Sequence, residues 1–293
     1  MKGETNRDPT AALATHRVAS LAALLRDRDP GRYRTALFAP PPRREGLFAL
    51  YAFNDEIARV RERVSEPMLG QIRLQWWREV IDAAYRGARP RAHAVVAPLT
   101  AAIREFAPSR AYFETLIDAR ERDLDDAAPA TLAALEDYAE ASSSPLVCLA
   151  LEVLGQRGPE EMEAAREVGI AYGLTGLMRA LPRHARTGRR MIPADVAARA
   201  GLAEADWAGA GTRRALGGAI AEIAEIARAH LDAARQRCGI PRRAVPALLP
   251  AVIAGRVLAR LQKAGYDPFA PALASPDPLL TWRLAAAFAR GRF

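Results

Sequence analysis

Long runs of Ala, Leu, Arg and Glu, interrupted by short clusters of Pro and Gly, constrain this chain more than any other feature. These residues lose little freedom in a helix. No sustained alternation of β-branched residues marks a strand. The punctuation falls at "FAPPP" (38–42), "SEP" (65–67), "RGARP" (86–90), "QRGP" (156–159), "CGIP" (238–241) and "ASPDP" (274–278). Between these breaks the pattern predicts helices over 43–64, 68–86, 110–124, 130–154, 160–181, 212–237 and 242–264, the last kinked at Pro246 and Pro250. No linker or internal repeat divides them. The expectation is a single all-α helical bundle, residues 30–293, preceded by an N-terminal extension and first helix over 1–29.

The 293 residues carry a formal charge of +8 and a pI near 10. Such a balance favours anionic partners: phosphorylated small molecules, acidic membrane surfaces or nucleic acid. Nucleic acid is set aside because no helix-turn-helix or finger pattern appears and the arginines are not interleaved with exposed aromatics. Cys148 and Cys238 lie far apart and read as two core thiols in a reducing compartment. The four histidines show no metal-ligand spacing. The first residues lack the apolar core of a secretory signal, and no stretch suffices for a transmembrane segment. The expected location is cytoplasmic, peripheral to the inner membrane.

Two helices carry the chemistry. Along 43–64, Leu47, Leu50, Tyr51, Asn54, Ile57 and Arg61 share one face. On another side, Asp55, Arg59 and Glu62 stand at ion-pair spacings, which predicts a self-neutralised ladder against the alternative of a carboxylate pair for metal. In 68–86, Ile72, Trp76, Val80 and Ala83–Ala84 form the expected buried stripe, with Trp77 beside it. The end of 110–124 is rich in acids (Asp118, Glu121, Asp123, then Asp125 and Asp126) and calls for an arginine nearby. From Leu174 to Pro193 the reverse holds. Arg179, Arg183, His184, Arg186, Arg189 and Arg190 follow one another, and no acid occurs between Glu167 and Asp195. Arg179 is expected to point inward onto an acid, and 186–190 to form a loop beyond Pro182. Arg179, Arg183, His184, Arg189 and Arg190 are candidates for holding an anion by bidentate hydrogen bonds.

The order of "APPPRREGLFALYAFNDEIARV", "IRLQWWREVI", "LIDARERDL", "LEDYAEASSSPLVCLALEVLG" and "VGIAYGLTGLMRALPRHARTGRRMIP" resembles the squalene/phytoene synthase family over about residues 30–265. The resemblance implies an isoprenoid synthase-like bundle around a central cavity. It also implies head-to-head prenyl-diphosphate condensation, with Mg²⁺ held by two Asp-rich motifs. This chain departs from both motifs. In the first, Asp55 takes an arginine's place, Glu56 follows it, Ala58 and Arg59 take the two central aspartates' places, and Glu62 remains acidic. In the second, Leu174, Thr175 and Arg179 match. Gly173 and Gly176 replace a glutamine and an asparagine, and Ala180, Arg183 and His184 replace the three acids.

The run of matches is most similar to the family's mitochondrial complex I assembly-factor branch. The resemblance therefore implies a non-catalytic pseudoenzyme with no cofactor, working with protein partners at a respiratory, membrane-linked complex. Two alternatives remain open from the residues. One is a Mg²⁺-dependent prenyltransferase using displaced acids (Asp55, Glu56, Glu62, Asp118, Glu121, Asp123). The other is a metal-independent binder of an isoprenoid or lipid phosphate.

Overall fold

A computed structural model describes residues 21–202 and 212–293; residues 1–20, the bulk of the expected N-terminal extension, lie outside the described residues. Among those described there is no strand. A helical segment covers 21–28, followed by α1 (Pro30–Ala36), α2 (Pro41–Ala58), α3 (Pro67–Tyr85), α4 (Val96–Phe106), α5 (Arg110–Glu121) and α6 (Leu132–Val153). The second half holds α7 (Pro159–Arg186), α8 (Ala194–Arg199), α9 (Arg213–Gln236), α10 (Val245–Leu248), α11 (Pro250–Lys263), α12 (Pro271–Ala274) and α13 (Leu280–Ala289).

The centre of the bundle is α7. It packs mainly on α6, then on α9 and α11. Its start carries Pro159 at the first helical position and Glu160 and Glu161 in the first turn, where a helix favours proline and negative charge. Pro182 deprives the Met178 carbonyl of its usual partner, yet the helix continues through it to Arg186. The chain then reverses at Gly188, whose φ of 70° suits a glycine, and the Arg189 N–H closes the end on the His184 carbonyl at 3.0 Å. The expected break at Pro182 is thus displaced by one turn. Arg183 and His184 are helical, and Arg189 is folded back toward the protein.

Partner helix α6 starts at Thr131, whose hydroxyl caps the Ala134 N–H, and is buried on every side from Ser142 to Val153. The two helices approach closely because small residues face each other. A β-carbon on Gly169 would lie 2.3 Å from the Ser144 α-carbon, and one on Gly173 would lie 3.1 Å from the Ala139 carbonyl. The Ser144 hydroxyl donates to the Arg166 carbonyl across the seam at 2.7 Å.

Elsewhere packing adjusts the expected boundaries. Helix α2 ends at Ala58, short of residue 64. Pro67 forces Glu66 into extended backbone, so the chain needs the 3₁₀ turn at 61–63 to reach α3. The buried stripe of α3 is Leu74, Trp77, Ile81 and Ala84, with Val80, while Ile72 is exposed. Trp77 wins over Trp76 because it seats edge-on against Phe53 at 5.3 Å. Helix α4 was not among the predicted helices. The bend at Pro250 is present, at 45°. Cys148 is buried as expected, but Cys238 is exposed. No single described helix is long and apolar enough to cross a membrane; α10 and α11, taken together from Arg242, pass by length and composition, and α10 is wholly buried.

The seam yields a paired prediction. Gly169→Ala must push backbone apart and should cost about 1–3 kcal/mol. Gly176→Ala, whose β-carbon meets nothing within 4 Å, should stabilise by about 0.5–1 kcal/mol through lost chain entropy. Urea midpoints of the two variants should move in opposite directions.

Candidate functional site

The end of α2 and the last turns of α7 meet. Glu62, carried past the helix end by the 3₁₀ turn, accepts from Arg183 at 2.8 Å. Around this contact each carboxylate faces arginine. Asp55 accepts from Arg28 at 3.0 Å and lies 3.8 Å from Arg59. Glu56 pairs with Arg63 at 2.7 Å and Arg28 at 3.6 Å. Arg59 also approaches Glu62 at 3.9 Å. The expected ladder Asp55–Arg59–Glu62 is therefore present. It is extended at one end by Arg28 and at the other by Arg183.

Mg²⁺ requires several hard oxygens free to converge on one point. Here the oxygens are occupied by guanidinium groups, and Ala58 and Ala180 supply none. Among the described residues no group of three His, Cys, Asp or Glu side chains is placed to hold a metal ion. These residues do not fit Mg²⁺.

Along α7, Tyr172, Gly176, Arg179, Ala180 and Arg183 fall at steps of three and four residues. Thr175 is buried, and its hydroxyl donates to the Tyr172 carbonyl at 3.0 Å. Gly176 borders open space. Arg179 is exposed and, among the described residues, no carboxylate lies within ion-pairing distance of it. The inward pairing expected from the sequence is thus replaced by a solvated guanidinium.

A second arginine, unforeseen in the sequence, lies below this face. Arg32 is fixed by Asp29 at 2.9 Å and stands 4.7 Å above the ring of Tyr172. Burial works against its charge, but Tyr172 and Asp29 more than offset that and hold the guanidinium above its ordinary pKa. The available signal was the Asp29-x-x-Arg32 spacing at a helix start, where Asp29 also caps the Arg32 N–H.

The cations beyond Arg183 do not form one anion site. Arg189 reaches back to Asp123 at 2.5 Å. Asp123, only 4% exposed, also accepts from the Tyr138 hydroxyl at 2.5 Å and from Arg120 at 3.2 Å. Arg120 donates further to the Ser142 carbonyl at 3.2 Å. This hub ties the acidic end of α5 to α6 and to the reversal after α7, supplying the arginine that the acids of 118–126 called for. Next to it His184 is buried, and its Nδ1 has no hydrogen-bond partner. Burial, then Arg189 and Arg183, push the imidazole down to about 4, so His184 is neutral at neutral pH and presents no cation. Arg190 is exposed.

Two measurements separate these contacts. Asp123→Ala leaves Arg120 and Arg189 half-buried without their acid and should cost about 3–5 kcal/mol in chemical denaturation. The Glu62–Arg183 pair is about half exposed, so a double-mutant cycle should return a coupling below about 1 kcal/mol. His184 adds a pH dependence. Above its ordinary pKa of 6.5 it is neutral folded or unfolded. Between 6.5 and about 4 only the unfolded chain takes up the proton, so stability falls as pH falls, by up to about 3 kcal/mol. A His184→Gln variant should show a flatter stability curve across that window.

The family model for squalene/phytoene synthase matches residues 25–285. Complex I assembly factor 6 of Bos taurus, "NADH dehydrogenase (ubiquinone) complex I, assembly factor 6", is 34% identical over 258 residues, covering 88% of this chain and 77% of the relative. The human protein of the same name is 33% identical over the same shares. Presqualene diphosphate synthase of Rhodopseudomonas palustris is 32% identical over 224 residues, covering 73% of this chain and 77% of the relative. In three dimensions the chain superimposes on a dehydrosqualene synthase with a TM-score of 0.82 at 18% identity, covering 94% and 96% of the two chains. Squalene synthase HpnC from Alicyclobacillus acidocaldarius gives 0.74 at 22%, covering 87% and 96%. The bundle is therefore the all-α, isoprenoid synthase-like fold expected from the sequence.

Proposed function

The chain belongs to the squalene/phytoene synthase family, and from that premise we propose that it is a non-catalytic member that assists assembly of a respiratory, complex I-like membrane complex through protein partners. The observation that carries this reading is the ladder of ion pairs Arg28–Asp55–Arg59–Glu62–Arg183. By resemblance, the places of four metal-binding acids of the two family motifs fall to Ala58, Arg59, Ala180 and Arg183, and the place of a fifth falls to the buried, neutral His184. Arginines there repel a divalent cation and clasp the acids that remain. The helices thus retain their meeting point but exchange a metal-diphosphate bridge for direct side-chain contacts. The assembly-factor relatives, matched over most of this chain, support the second half of the proposal.

A second reading rests on two observations: the presqualene diphosphate synthase relative and the carboxylate-free Arg179. In this reading Arg179, with Arg183 beside it, receives the phosphate of an isoprenoid or lipid without metal.

Three experiments distinguish them. Incubation with farnesyl or geranylgeranyl diphosphate and Mg²⁺ should release no more diphosphate than the Glu62→Ala variant, while capture of the full chain from membranes should co-purify respiratory-complex subunits reproducibly. Diphosphate release above that variant would overturn the non-catalytic assignment. Thermal stabilisation by farnesyl diphosphate in EDTA, lost in Arg179→Ala, would transfer support to the second reading.

A further inference from the structure

The apolar side of α13 is only partly covered. Leu280, Leu284 and Ala287 pack on Val245, Leu249 and Ile253, while Leu279 and Trp282, three residues apart, project from the same end of the helix. Trp282 is 76% exposed, the largest exposure among the big apolar side chains described. An indole so placed gains nothing in the isolated chain, because its apolar surface stays in water.

Its surroundings are specific. Trp282 and Leu279 edge a groove of about 660 Å³ into which α9, α11 and the end of α13 send Arg235, Arg256, Arg283, Arg290 and Arg292. No Asp or Glu lines that groove. The acids that do reach these arginines stand outside the lining: Asp277 lies against Arg256 at 3.1 Å and Arg283 at 3.7 Å, and Asp232 lies 3.6 Å from Arg235. Among the described residues Arg290 and Arg292 have no ion pair. Arg235 also donates to the main-chain oxygen of Phe293, in the same lining, at 3.2 Å. Arg290 and Arg292 therefore supply the positive surface beside an exposed indole and an exposed leucine.

We propose that this surface is where the protein rests on an anionic lipid bilayer. Trp282 and Leu279 enter the level of the head groups, where an indole is favoured for being apolar in body and polar at its N–H. The unpaired arginines meet lipid phosphates, to which a guanidinium donates two parallel hydrogen bonds. A soluble phosphate would account for the arginines but leave the exposed indole and leucine without a role. A bilayer accounts for both. The contact is shallow and reversible, as befits a chain held by one helix end and a basic patch. The proposal stands independently of the assembly reading: failure of the vesicle experiment below leaves the respiratory capture experiment untouched, and the converse also holds.

Vesicle sedimentation tests it directly, using the full chain with phosphatidylcholine vesicles, with and without one-third phosphatidylglycerol. The chain should sediment with the anionic vesicles only and be released by high salt. Each basic residue at such a surface contributes roughly fivefold to partitioning, so R290Q/R292Q should weaken binding roughly 25-fold. Trp282→Ala should weaken it as well, with both variants unfolding at the parent temperature because the altered side chains are exposed. Failure to bind anionic vesicles, equal binding to both kinds, or unchanged binding by R290Q/R292Q would overturn the proposal. Inorganic pyrophosphate serves as the soluble probe. If it stabilises the chain thermally, loses that effect in R290Q/R292Q and no vesicle binding is seen, the groove is a site for a soluble anion and the bilayer assignment is wrong.

Discussion

The contact between Ser144 and Gly169 sets the distance between α6 and α7, the most extensively packed pair of helices among the described residues. Two helices normally stand 8–10 Å apart because side chains keep them there. Here Ala139, Ser143 and Ser144 face Gly169 and Gly173, so the backbones themselves nearly touch. A close seam has no slack: α7 cannot rotate or slide without clashing. That rigidity matters because α7 carries Gly176, Arg179 and Arg183 at its other end. The direction in which Gly176, Arg179 and Arg183 point is decided some ten to twenty ångströms away, at 1.5 Å of rise per residue, by residues with no polar role of their own.

Electrostatics then distributes the excess of arginine over short paths. The cations of 179–190 look like a single patch along the chain, but each meets a different fate. Arg183 turns to Glu62, Arg189 turns to Asp123 through the glycine reversal, and His184 is submerged and loses its proton. Burial is expensive for a charge unless an opposite charge comes with it. Arg189 is half-buried with an acid and keeps its charge; His184 is buried between arginines and does not. The same rule explains Arg32, which remains charged deep inside because Asp29 and the face of Tyr172 accompany it.

The absence of strands among the described residues, the central helices, the break at Pro250 and the ladder Asp55–Arg59–Glu62 were all legible from local pattern. Each depends on neighbours within a turn or two, where spacing and geometry are equivalent. Failures of the reading share a different cause. The register of α3 was ambiguous because Trp76 and Trp77 are adjacent, and only Phe53, from α2, selects between them. Arg179 was assigned an acid, but among the described residues none lies within reach, because inward and outward faces of α7 depend on what α6 occupies. The hub at Asp123 was half legible: the acids demanded an arginine, but the one that arrives, Arg189, comes from 66 residues further along the chain.

By itself, the sequence determined the class of the fold and the family pattern, since these follow from residue identity and short-range spacing. Only the tertiary structure decided which charges are spent and which remain available. Glu62 is clasped by an arginine from another helix, His184 is neutral, Arg179 is solvated, and Arg290 and Arg292 stand beside an exposed tryptophan. The reason is physical. A charge's state depends on its solvation and on the opposite charges within a few ångströms, and both are supplied by segments far apart in the chain that meet only when the bundle closes.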